Sequence, residues 1–140
     1  MSQIYYNIWL GGYEEAEDKT WLIKNGITHI LNATAELEIK FPKKYTYKSL
    51  PLLNKENFDA LPYLDSAADF ILKAIEDGNL LIHGYRDESR GPACLMAFLM
   101  KFFGWEYLRC YKTILGKRPS TRFFKNHDRS IHQYYEELIR

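Results

Sequence analysis

The sequence predicts an α/β sandwich, a sheet carrying helices on both faces, formed by one domain spanning residues 1–140. Three observations lead there. Short runs rich in β-branched and aliphatic residues alternate with segments of helical spacing. No linker, repeat or low-complexity stretch divides the chain. The apolar run Leu80 to Ile82, ended by His83, crosses a short polar loop into a long apolar stretch starting at Gly91.

The elements follow in order. Ile8, Trp9 and Leu10 form a short apolar run stopped by Gly11 and Gly12, a first strand and its turn. Glu14 to Lys24 sets Ala16, Trp21, Leu22 and Ile23 among charges and stops at Asn25-Gly26, which predicts one helix with a glycine past its end. Ile27 to Thr34 reads as a buried strand. Tyr45 to Leu52 reads as another, with Pro51 near its end, where a missing N–H costs little. Leu64, Ala67, Ala68, Ile71 and Ile75 recur at helical spacing until Asp77-Gly78. Leu80 to His83 is the next strand. From Gly91 a helix opens with Pro92 in its tolerated first turn and runs through Leu95, Met96, Phe98, Leu99, Phe102 and Phe103. It is apolar almost all round and is expected to be buried. Tyr107, Leu108, Tyr111, Ile114 and Leu115 give a further helix ending near Arg118-Pro119. Ile131, Tyr134, Tyr135 and Leu138 make the last polar stretch a capping helix, with the tyrosines as packing residues.

Composition narrows the function. A chain of this length buries roughly 68–70% of the surface its unfolded form exposes, so neither a disulfide nor a metal staple is needed. Hydrophobic residues are 46% and charged residues 26% of the chain, ordinary for a globular protein, and the 16% of aromatics suits core and groove lining. A net charge of +1 argues against nucleic-acid binding, which relies on many cations. Cys94 and Cys110 sit in helical patterns and suggest no disulfide framework. No signal pattern opens the chain and no apolar run reaches the ~20 residues of a membrane span. The expectation is a cytoplasmic protein, with the nucleus as a further compartment, needing no cofactor and no metal, and binding no membrane.

The loop between strand and helix is where chemistry is expected. It reads His83-Gly84-Tyr85-Arg86-Asp87-Glu88-Ser89-Arg90. A strand, a tight loop and a helix N-terminus form an anion site on physical grounds, because the first helical turn leaves N–H donors unpaired and the macrodipole favours negative charge. Arg90 at that turn adds a planar fork suited to phosphate oxygens. Ligands of open α/β sheets bind at the carboxyl ends of the strands, where this loop begins.

His83 followed by position 84, five residues and Arg90 resembles the H-C-x5-R signature of cysteine-dependent protein phosphatases. The flanks resemble the small dual-specificity phosphatases: NGITHILNAT, SLPLLN, LPYLDSAADFI, LLIH, AFLM and GKRPS occur in that family's order and spacing from Ile8 to the last helix. The resemblance implies a mixed, mainly parallel sheet of five strands between helices. It also implies a cysteine thiolate attacking phosphorus, with a pKa lowered by the helix N-terminus and nearby cations. Position 84 is Gly, which carries no nucleophile, and Cys94, one turn inside the helix, cannot replace it. The family's general acid is an aspartate after the strand; Asn54 stands there and donates no acidic proton at neutral pH, with Glu56 and Asp59 nearby in sequence. Asp87 occupies a usual glycine position and Gly91 a usual Ser or Thr position. Three departures, at Gly84, Asn54 and Asp87, exceed what one laboratory substitution would leave.

The resemblance therefore implies an inactive, STYX-type pseudophosphatase, the type with glycine at the signature position. Its work would be binding a phosphorylated protein or phosphopeptide through the loop Gly84 to Arg90, or scaffolding signalling partners. At ~7 Å and an effective dielectric of about 20, each of Asp87 and Glu88 costs a bound phosphate roughly 2 kcal/mol, whereas Arg90 at ~4 Å returns about 4 kcal/mol. Arg86 offsets part of the rest. His83 is expected to orient the loop, Ser89 to hydrogen-bond within it without a base to activate it, and Arg90 equally to serve as a structural partner of Asp87 or Glu88. Lys40, Lys43, Lys44 and Lys48 read as a solvated face that in this family lies near the substrate groove. Two alternatives stand beside this reading. One is a dual-specificity phosphatase with weak or atypical activity, using water activated by Asp87 or Glu88; the other is an interaction domain whose partner sits on another face.

Overall fold

Side chains alternate across a strand, and here the alternation divides the core in two. The computed structural model describes residues 1–86 and 88–140. Its strands are β1 (Ser2–Tyr5), β2 (Ile8–Gly11), β3 (Ile27–Asn32), β4 (Thr46–Ser49) and β5 (Asn79–His83), in one five-stranded sheet of order β1-β2-β5-β3-β4. β2–β5, β3–β5 and β3–β4 pair in parallel, and β1–β2 pairs antiparallel. The expected mixed, mainly parallel sheet is thus the one formed. The helices are α1 (Tyr13–Ala16), α2 (Lys19–Lys24), α3 (Leu61–Asp77), α4 (Arg90–Phe103), α5 (Tyr107–Lys117) and α6 (Lys125–Leu138).

Ile8, Leu10, Leu31, Leu80 and Ile82 face the larger core, covered by α3 to α6. Trp9, Ile30 and Leu81, one residue out of phase, face a smaller core with Ala16 of α1 and Leu22 of α2. Every residue of α4 from Arg90 to Met100 is buried, because this helix packs against α3, α5 and α6 and against the sheet. Burying each large apolar side chain contributes roughly 1.5–3 kcal/mol. No described helix is long and apolar enough to cross a membrane, and Cys94 and Cys110 are both buried.

The structure corrects several boundaries. β1 escapes a pattern search because only Ile4 of its four residues is buried; pairing with β2 makes it a strand. The expected helix from Glu14 to Lys24 is two, because Asp18 turns extended and caps α2 by accepting the Trp21 N–H at 3.1 Å. The strand expected to reach Leu52 ends at Ser49; the Leu50 N–H still bonds the Asn32 carbonyl at 2.8 Å, and Pro51 has no N–H to continue. Phe102 and Phe103, expected inside, are 38% and 45% exposed in the last turn of α4. Gly104 then closes that helix at φ 71°, a left-handed conformation that favours glycine.

The registers fix where the loop emerges. Gly11 of β2 and Asn32 of β3 both lie opposite His83. The loop after β5 therefore leaves the middle of the sheet, flanked by the carboxyl ends of both neighbours.

Candidate functional site

Three outward hydrogen bonds shape the loop. The Tyr85 carbonyl accepts from the Tyr13 N–H at 2.7 Å, the Arg86 carbonyl from Arg118 Nη2 at 3.3 Å, and the Glu88 carbonyl from the Arg122 N–H at 2.8 Å. In a trans peptide the C=O and the next N–H point in opposite directions. Tying these carbonyls outward therefore turns the amides of Arg86 and Ser89 to the other side, and both residues line a cleft of about 330 Å³. Backbone donors gathered this way at a helix start favour an anion. Gly12 is part of the fit: a Cβ there would stand 2.7 Å from the Tyr85 carbonyl oxygen. Asp87 lies outside the described residues.

Arg90 sits at the base of the cleft, 3% exposed. Among the described residues its partner is not Glu88 but a carboxylate from the segment after β3, and the Asp87 alternative lies outside the described residues. Nη1 and Nη2 donate to the two carboxylate oxygens of Glu36 at 2.6 and 2.8 Å, and Nη1 also donates to the Leu52 carbonyl at 3.0 Å. Glu36 is held in turn by Thr34, whose hydroxyl donates to it at 3.0 Å and accepts the Glu36 N–H at 2.9 Å. The Arg90 hydrogen bonds hold the Glu36 carboxyl down at about 2, against a smaller opposing push from burial. The end of the guanidinium is thus occupied. Its side edge, Nε–H with the second Nη2–H, has no protein acceptor among the described residues and remains able to take a bidentate oxyanion.

His83 is 3% exposed, and Nδ1 lies 3.1 Å from the Gly84 carbonyl. Burial pushes its pKa down, so it is a neutral group holding the loop's first peptide. Ser89 departs from expectation. Its hydroxyl leaves the loop and meets His127 Nδ1 on α6 at 2.5 Å, while accepting the Phe124 N–H at 3.1 Å. His127 Nε2 faces the Leu53 carbonyl at 2.8 Å, so Nε2 carries the proton and Nδ1 accepts from Ser89. A base does therefore stand beside Ser89. Burial lowers the His127 pKa and Arg90 lowers it further, against the Leu53 carbonyl. This chain of contacts ties α4, α6 and the segment after β4 together beneath the cleft.

Asn54 lines the cleft with Glu36, Tyr85, Arg86, Glu88, Ser89, Arg90 and Phe124. Glu56 and Asp59 do not line it. Asp59 accepts instead from the Ser130 hydroxyl at 2.9 Å and the Leu61 N–H at 3.0 Å. The lysines at 40, 43, 44 and 48 lie outside the cleft lining as well. Among the described residues no group of three or more His, Cys, Asp or Glu could hold a metal ion. Sequence reading missed Glu36, His127 and Phe124. A buried arginine demands a carboxylate, and Thr34-x-Glu36 is a turn that presents one, but nothing local ties that turn to a residue 54 positions on.

Comparison with known proteins agrees with this geometry. A family model described as the dual specificity phosphatase catalytic domain matches residues 8–137. Human protein phosphatase Slingshot homolog 2 is 29% identical over 139 residues, 99% of this chain, although the chain spans 10% of that protein's length. Dual specificity protein phosphatase 1B of Arabidopsis thaliana is 28% identical over 119 residues, 84% of this chain and 71% of its own. Human DUSP28 has the same fold, with a TM-score of 0.92 at 18% identity over 99% of this chain and 98% of that one. So does the human tyrosine phosphatase-like serine/threonine/tyrosine-interacting protein, with a TM-score of 0.89 at 22% identity over 100% and 98% of the two chains.

Proposed function

The chain belongs to the dual-specificity phosphatase catalytic-domain family, and from that premise we propose that it is a catalytically silent member that binds a phosphorylated protein. One observation carries the reading: Gly84 follows His83 where the signature has its cysteine, while Arg90 keeps a donor edge with no acceptor among the described residues. Glycine has no side chain to attack phosphorus, and Asn54 in the cleft has no acidic proton for a leaving group. What the site retains is binding. The amides of Arg86 and Ser89, the N-terminus of α4 and Arg90 supply donors, and Arg86 adds a positive charge at the rim. Glu88 opposes them in part, and the Glu36–Arg90 pair is close to neutral. The phosphate-reading loop thus comprises Gly84, Tyr85, Arg86, Asp87, Glu88, Ser89 and Arg90, with His83 orienting it.

The test is calorimetric titration of the chain with phosphopeptides beside Arg90→Ala, together with an aryl phosphate turnover assay. Binding lost in Arg90→Ala with no turnover in either protein is the expected result. Absence of binding in both would move the function to another surface of the domain. A second reading, an atypical phosphohydrolase, draws support from the Ser89–His127 pair and from Glu88 at the cleft. Turnover that disappears in Ser89→Ala or Glu88→Gln would establish it in place of the first.

A further inference from the structure

The sheet has two edges, and β4 is one of them. In a parallel strand every second residue turns its N–H and C=O towards the same neighbour. The Leu50 N–H reaches the Asn32 carbonyl at 2.8 Å, so Leu50, and with it Lys48 and Thr46, turn towards β3. Tyr47 and Ser49 therefore turn their backbone groups away from the sheet, and no described residue pairs with those groups. They form the row of donors and acceptors that an extended segment needs to join a sheet.

The charge around this edge is of one sign. Residues 39–55 hold five lysines and no Asp or Glu. Lys40, Lys43 and Lys44 are exposed and Lys48 of β4 is half-buried. Among the described residues none of these four forms an ion pair. The loop that carries three of them is fastened to the strand, because the Phe41 N–H donates to the Tyr47 hydroxyl at 3.1 Å. Tyr45 packs edge to face on Phe41 and on Tyr47, with centroids 6.2 and 6.5 Å apart, and all three rings rest on the smaller core. The lysine-bearing loop is thus held beside the open backbone before any partner arrives, which avoids an ordering cost on binding.

We infer that the β4 edge docks an acidic protein segment, which joins the sheet as an added strand with its carboxylates against Lys40, Lys43, Lys44 and Lys48. Charge selects this occupant. A second copy of the chain would bring its own lysines to the same edge, and like charges opposed across a strand pair are destabilising. Lysines at an edge strand guard it against self-pairing, and the same guard leaves it open to a strand of opposite charge. None of the four lysines lines the cleft, so this surface stands independently of the phosphate-binding reading.

The experiment measures calorimetric binding and amide hydrogen exchange of the full chain with a peptide of about ten alternating Glu and Val residues, the length of a long strand. A Lys–Val peptide of the same length is the control. The Glu–Val peptide is expected to bind, more weakly as salt rises, and the Lys–Val peptide is not. Exchange of the Tyr47 and Ser49 amides should slow by about threefold to tenfold as each gains a hydrogen bond. An exposed ion pair changes affinity by up to about fivefold. Lys43→Glu with Lys44→Glu turns two attractions into repulsions and should weaken binding at least about fivefold. Lys112→Glu with Lys117→Glu makes the same change of net charge on α5, which packs by β1 at the opposite end of the sheet, and should leave affinity within about twofold. Failure of the Glu–Val peptide to bind, equal binding of the Lys–Val peptide, or equal losses in the two lysine pairs overturns the inference. Binding that leaves the Tyr47 and Ser49 amides exchanging as before overturns it too, since contact would then rest on charge without strand addition.

Discussion

Removing the carboxylate of Glu36 should expose how much of the cleft depends on a contact between distant residues. Glu36→Ala deprives Arg90 of two of its three hydrogen bonds to described residues and leaves a guanidinium that is 3% exposed with the Leu52 carbonyl as its remaining described acceptor. Hydrogen bonds to charged groups contribute roughly 1.5–3 kcal/mol, and breaking a fully buried pair costs about 3–5 kcal/mol. The Glu36 side chain is 49% exposed, however, so water screens part of the attraction and the upper figures do not apply. A loss of about 2 kcal/mol is expected. At ~2.1 cal/mol/K per residue for a 140-residue chain, that corresponds to a fall in Tm of roughly 7 °C. The assay is urea and thermal unfolding of Glu36→Ala, Arg90→Ala and the double variant. The double variant should be less destabilised than the sum of the singles by at least ~1 kcal/mol, because removing both partners leaves no stranded charge. Glu36→Ala within about 0.5 kcal/mol of wild type would refute the argument, since that is the range of an ordinary surface substitution.

Three further outcomes follow from the same geometry. Stability should fall with acid in two stages: the unfolded chain protonates His83 and His127 below 6.5 while burial keeps them neutral in the fold, and Glu36, ordinarily at 4.5 but held at about 2, loses its contribution as pH drops from 4.5 towards 2. Urea midpoints from pH 8 to pH 3 read this, and a flat profile between 7 and 5 would contradict the assigned neutral histidines. Gly84→Cys should restore little aryl phosphate turnover, because a missing general acid costs about 10²–10⁴-fold. Adding Asn54→Asp to it should raise the rate by at least ~100-fold, and equal rates in the two variants would show that Asn54 does not hold the acid's place. Gly12→Ala should destabilise the domain by about 1–3 kcal/mol and weaken phosphate binding, since its Cβ would meet the Tyr85 carbonyl oxygen at 2.7 Å and push the loop inward. Unfolding and titration of that variant test both effects together.

The sequence by itself determined the layers of this molecule and the place of its site. Apolar residues alternating at period 2 and recurring near 3.6 record which faces must be buried, and burial is what those elements were selected to achieve. His83, Gly84 and Arg90 were legible because strand end, loop and helix start are contiguous, so spacing along the chain is nearly spacing in space. Asn54 was singled out by the family resemblance of the segment after β4, and it lines the cleft. Tertiary structure decided the rest. β1 has one buried residue and becomes a strand through pairing with β2. Glu36 reaches Arg90 across 54 positions, and His127 reaches Ser89 across 38. Phe124 becomes a wall of the cleft because α6 starts beside α4. A charge or a ring finds its partner only after the helices dock, and docking is driven by non-directional apolar burial that does not encode which polar groups will meet.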